Sequence, residues 1–107
     1  MKILKRKVKR RSVDVIANIL EIAKDGAIKT RIMQLANLSY MLCWQYLDLL
    51  KNKNFLEYNS IERKYKTTDK GIEFLKEYYE FREIEEKFKE IGKRYEEKIK
   101  IIEGIFS

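Results

Sequence analysis

The 107-residue chain contains no histidine, no proline, one cysteine and four glycines. Without histidine, neither a His-bearing zinc site nor a His-based triad can be assembled, and most enzyme chemistry goes with them. The chain is therefore read as a non-enzyme that needs no metal, cofactor or small-molecule substrate. A lone cysteine makes no internal disulfide, so Cys43 is expected in the core as a small hydrophobe. No apolar run approaches the roughly 20 residues of a transmembrane helix. The start, MKILKRKVKRR, has no apolar stretch behind its basic residues, so it is not a secretory signal and a cytoplasmic location is expected. A membrane-surface role is disfavoured as well, because only Ile3, Leu4 and Val8 are apolar there. The lack of proline beside abundant Lys, Glu and Ile is compatible with an ion-pair-rich, thermophile-like surface.

What is present points to a small, charged, folded protein. Hydrophobic residues make up 45% of the chain and charged residues 38%, too apolar for a disordered tail. A chain this short buries only about two-thirds of the surface its unfolded form exposes, so a second chain would help it. The net charge of +7 is unevenly placed. Residues 1–11 hold seven Lys or Arg and no acid, residues 28–68 sum to +4, and residues 12–27 and 69–107 each sum to −2. Such asymmetry suggests a polyanion partner for one part of the molecule.

Three domains of sequence follow: a basic arm (1–11), a compact region (12–68) and a long C-terminal helix (69–107). Ser12 is placed to cap a first helix over about 12–24, with Asp14 in its first turn and Val13, Ile16, Ile19, Leu20 and Ala23 facing inward until Asp25-Gly26 stops it. A second helix, about 29–36, opens at Lys29 or Thr30 and turns Ile32, Leu35 and Ala36 inward. After the Asn37-Leu38 turn, Ser39 caps a third helix that runs to about Lys53 and ends at Asn54, a residue that tolerates the left-handed cap conformation. Its buried face is expected to be Cys43, Tyr46, Leu47 and Leu50, which leaves Tyr40, Met41, Trp44, Gln45 and Asp48 outward.

From FLEYN to IERKYKT the period shortens towards two, predicting a two-stranded hairpin with a tip at Asn59-Ser60. Thr68 then caps a last helix from Asp69 to about Glu103. Along it Phe81, Ile84, Phe88, Ile91, Tyr95 and Ile102 alternate spacings of three and four, with Lys98 in the expected apolar slot and Ile99 beside it. This is a coiled-coil seam that fits a second copy of the chain, flanked by solvated Glu83, Glu85, Glu86 and Glu90 among lysines, with Gly92 as its weak point. The pattern alone does not separate parallel from antiparallel pairing.

The fold class is thus mainly α with a small β-hairpin. Three helices, a hairpin and a further helix give the order of a winged helix-turn-helix, in which the third helix enters the major groove and the hairpin tip reaches phosphates or the minor groove. Lys29, Thr30 and Arg31 are residue types that hold phosphate. The arm cations Lys5, Arg6, Lys7, Lys9, Arg10 and Arg11 either follow the DNA backbone or form a solvated tail, and Arg63 and Lys64 of the wing either grip phosphate or are merely solvated.

The run ILEIAKDGAIKTRIMQLANLSYMLCWQYLDLL, from Ile19 to Leu50, with its KTRIM, NLSY and YLDLL segments, followed by YKTTDKGIEFL from Tyr65 to Leu75, resembles the small archaeal winged-helix DNA-binding proteins that dimerise through a long C-terminal antiparallel coiled coil. The resemblance covers about residues 10–80. It implies a homodimer that binds double-stranded DNA as a transcription regulator or a chromatin-organising, nucleoid-associated protein, and it places Lys29, Thr30, Arg31, Ser39 and Tyr40 near DNA. The outer face of helix three departs from the usual polar or basic pattern of that family. Of Met41, Leu42, Trp44 and Gln45, only Gln45 offers a bidentate bond to adenine, while Met41 can touch a thymine methyl. Binding is therefore expected to rest on phosphate charge. Trp44 either packs partly against the wing or the long helix, or stands exposed with Met41 as an apolar patch. The second possibility leads to an alternative function, a winged-helix adaptor that docks a protein partner through Met41 and Trp44.

Overall fold

The computed structural model describes residues 10–107, so Lys5, Arg6, Lys7 and Lys9 of the arm lie outside the described residues. The elements run α1 (Ser12–Ile22), β1 (Ala27–Ile28), α2 (Lys29–Leu35), α3 (Tyr40–Asn52), β2 (Leu56–Asn59), β3 (Lys64–Thr67) and α4 (Asp69–Phe106). The chain divides into two compact units, with the boundary between Lys76 and Glu77 inside α4.

In the first unit the expected punctuation sets the helix ends. Ser39 Oγ accepts from the Leu42 backbone N–H at 3.2 Å, and Thr68 Oγ1 accepts from that of Gly71 at 3.1 Å. Both satisfy donors that a helix start leaves open. After α3, Asn54 adopts φ 66°, and Gly26 after α1 adopts φ 98°, the left-handed conformations that release the chain from a helix. Ser12, by contrast, is not a cap. Arg11 is the extended residue before α1, and Ser12 already lies inside the helix, where its Oγ accepts from the Tyr46 hydroxyl at 3.3 Å.

The core gathers Ile19, Leu20, Ile32, Leu47, Leu50, Leu56 and Cys43, all with almost no exposure. Each large aliphatic among them stabilises the fold by roughly 1.5–3 kcal/mol. The inward face of α1 is rotated from the expected one, so that Val15 and Ala17 are buried and Val13 and Ile16 only half-buried. Leu35 was expected inward and is 53% exposed. On the short α2 the buried stripe passes through Ile32 and Ala36 and leans towards half-buried Met33, which turns Leu35 outward. Tyr46 is half-buried, while Cys43, Leu47 and Leu50 form the inner face of α3 as expected.

The sheet has three antiparallel strands in the order β1-β3-β2, one more than the sequence pattern suggests. Ala27 and Ile28 pair with Tyr65 and Lys64, and Tyr58 stands opposite Tyr65 in the wing. Between β2 and β3 the turn is longer than a two-residue tip. Asn59 Oδ1 accepts from the backbone N–H groups of Ile61 and Glu62 at 2.9 and 3.0 Å, and Arg63 closes the turn at φ 57°. The wing is tied to α1 through Thr67, whose hydroxyl donates to the Leu20 carbonyl at 2.6 Å and whose N–H donates to that of Ala23 at 3.0 Å. Gly71 is buried at a point where nothing larger fits. An added Cβ would lie 2.5 Å from Thr67 Cγ2 and 2.6 Å from the Phe55 carbonyl oxygen.

The second unit, from Glu77 to Ser107, is helix almost to its end, and none of its residues is buried. Phe81, Ile84, Phe88, Ile91, Tyr95, Ile99 and Ile102 are 39–77% exposed, and the apolar series continues into Ile105 and Phe106. Gly92 does not interrupt the helix, and a Cβ added there would meet nothing within 4 Å.

Candidate nucleic-acid interface

The core uses one face of α3 and leaves the opposite one bare. Met41 is 69% exposed, Tyr40 61% and Trp44 43%, and Gln45 is exposed too. Trp44 is thus neither buried nor free, because its ring is held in place. The indole N–H donates to the Tyr40 hydroxyl at 2.9 Å, one helical turn earlier. Lys29, the first residue of α2, lays its ammonium 4.2 Å from the centre of the Trp44 ring and 4.5 Å from that of Tyr40. A cation over aromatic faces is attracted by the ring quadrupole. The Trp44 hydrogen bond, followed by Lys29, lowers the Tyr40 hydroxyl below its ordinary pKa.

A groove lies between this cluster and the wing. Lys29, Thr30 and Trp44 line it from the helices, and Ile28, Tyr58, Arg63 and Tyr65 from the sheet and turn. Four residues expected at the interface, Lys29, Thr30, Trp44 and Arg63, therefore meet in one place. Lys64 lies elsewhere, in a depression shared with Asp25, Glu57, Glu62 and Lys66. Arg31 and Met41 are exposed.

Three of the expected contact residues already serve the fold. Ser39 caps α3. Arg10 donates to the Ala36 carbonyl at 2.7 Å, and so covers the C-terminal end of α2. Arg11 forms an ion pair with Asp14 at 2.8 Å. Tyr58 and Tyr65, whose rings pack tilted with centroids 4.7 Å apart, were not singled out by sequence reading. Their signal was present in the facing aromatic positions of LEYN and KYKT. Burial raises the pKa of Cys43 and of Tyr65, in keeping with core roles. Among the described residues no group of acids, cysteine or histidine could hold a metal ion, and no helix is long and apolar enough to cross a membrane.

The three-helix and wing arrangement defines a class, and sequence comparison agrees. The chain belongs to the winged helix-turn-helix family, whose model matches residues 9–86. It is 39% identical over 80 residues to an uncharacterized protein of Methanocaldococcus jannaschii, an alignment covering 74% of this chain and 80% of that one. In fold it is similar to the crystal structure of Sso10a-2, a DNA-binding protein from Sulfolobus solfataricus, with a TM-score of 0.75. That match has 23% identity and covers 82% of this chain and 95% of the other. The resemblance to small archaeal winged-helix proteins is thereby borne out.

Proposed function

We propose that this protein is a homodimeric binder of double-stranded DNA, acting as a transcription regulator or chromatin-organising protein. The observation that carries the reading is the bare outer face of α3 beside the cations of α2 and the wing. Tyr40, Met41, Trp44 and Gln45 stay outside the core, with Lys29 and Arg63 at their side. In this reading Lys29, Thr30, Arg31, Arg63 and Lys64 take phosphates, the arm follows the backbone, and Ser39, Tyr40, Met41, Trp44 and Gln45 approach the groove. The fold shared with Sso10a-2, itself described as DNA-binding, supports the proposal. So does the family assignment.

The dimer is proposed from the second unit. A helix whose Phe81, Ile84, Phe88, Ile91, Tyr95, Ile99 and Ile102 remain exposed at heptad spacing has no core of its own, and a second copy supplies one. A second reading is favoured by one observation, the joint exposure of Met41 and Trp44 on α3, which suits an adaptor that docks a protein. Anisotropy of a short labelled duplex at low salt decides between them. A rise on adding protein supports DNA binding, and a flat signal leaves the adaptor.

A further inference from the structure

We infer that the groove between α3 and the wing binds an unpaired nucleobase of single-stranded nucleic acid, stacked against Trp44 and Tyr58. The inference goes beyond duplex binding and does not need it. The groove is open to solvent and offers about 410 Å³, a volume comparable with that of clefts that take a small organic group. Its lining combines three aromatic rings, Trp44, Tyr58 and Tyr65, with two cations, Lys29 and Arg63, and one hydroxyl, Thr30. Among the described residues no carboxylate lines it, although Asp48, one turn after Trp44 on α3, is near enough to act electrostatically on Tyr65. The neighbouring depression, by contrast, mixes Asp25, Glu57 and Glu62 with Lys64 and Lys66, and Tyr58 borders it as well.

Aromatic faces that take bases, with cations beside them for the backbone, are the means by which proteins hold single strands without reading sequence. A stacking wall works best when its rings are fixed before the ligand arrives. Here both are. Trp44 is 43% exposed, with its N–H engaged by Tyr40 and one of its two ring faces by Lys29. Tyr58 is 41% exposed and backed by buried Tyr65 at 4.7 Å. Arg63, in the left-handed conformation that closes the wing turn, borders the same groove. A base entering the groove would meet ring faces, and its flanking phosphates would meet Lys29 and Arg63.

Trp44 is the only tryptophan, so its emission reports on the site directly. Oligo(dT) and oligo(U) are titrated into the full chain at low salt, beside a duplex of equal length followed by anisotropy. The expected result is quenching of Trp44 by the single strands. Quenching by both probes indicates that the base face suffices, and quenching by one alone still supports the site while assigning DNA or RNA. Tyr58→Leu should weaken the single strand by roughly 5- to 150-fold, the range found for losing one stacked base. Tyr58→Phe should retain single-strand affinity, and circular dichroism checks that each variant is folded. Failure of both single strands to quench Trp44 overturns the inference, as does oligonucleotide binding that tolerates Tyr58→Leu in a folded protein. Quenching by oligo(dT) without any duplex binding upholds this site and rejects the duplex reading.

Discussion

Tyr40 and Trp44, four residues apart on α3, are joined by an N–H···O hydrogen bond of 2.9 Å, and Lys29 from α2 lies over both rings. The bond turns an otherwise mobile, exposed aromatic into a fixed feature of the surface. Removing the hydroxyl by Tyr40→Phe should release the indole. Time-resolved anisotropy of Trp44 is expected to show faster local motion, with the fold unchanged by circular dichroism.

Lys29 and Arg63 are proposed to contact phosphates, so their loss should act through charge. Lys29→Ala and Arg63→Ala should each weaken duplex binding at low salt, and each should lower the slope of log affinity against log salt by about 0.9. A slope that does not move would remove that residue from the interface.

Two glycines of α4 should respond in opposite directions. Gly71→Ala forces a methyl against the Phe55 carbonyl and Thr67, and an overpacked site of this kind costs about 1–3 kcal/mol. Gly92→Ala meets open space within a helix and should stabilise by about 1 kcal/mol. Urea unfolding of the two variants beside the parent protein measures both.

The exposed seam predicts the oligomeric state. Sedimentation of the parent protein at micromolar concentration should give a dimer, and Ile84→Lys with Phe88→Lys should give a folded monomer. A parent protein that sediments as a monomer would contradict the coiled-coil assignment.

Stability should fall in alkali. Burial raises the pKa of Cys43 above 9.0 and of Tyr65 above 10.0, so each group holds its proton more tightly in the folded chain than in the unfolded one. The stability they contribute is complete below those ordinary values and is lost as pH rises through the folded ones. Tyr40 is shifted the other way and is exposed, so it opposes the trend only weakly. Denaturant midpoints at pH 8 and above pH 10 check the direction, and Cys43→Ala should remove the thiol's share.

Much of this fold was legible because its punctuation is explicit. Ser39, Thr68, Gly26 and Asn54 mark helix ends by chemistry that acts over three or four residues, and the structure uses all four. What escaped reading depends on distant partners. Ala27–Ile28 is a strand only because Tyr65 and Lys64 lie alongside it, and two residues carry no alternation to detect. Ser12 has cap chemistry but lies inside the helix, bonded to Tyr46 34 positions away. Leu35 fits a helical stripe that the short α2 does not present to the core. The residues proposed at the interface were legible by type, whereas the Lys29, Tyr40 and Trp44 cluster required the third dimension.

DNA binding through charge is the central claim, and a salt series tests it most directly. Anisotropy of a labelled duplex should be followed for the full chain and for one lacking residues 1–11, which carry seven of the cations. The account predicts a steep linear fall of log affinity with log salt, about 0.9 per phosphate neutralised, and a shallower fall without the arm. No binding at low salt, or binding indifferent to salt, would contradict it.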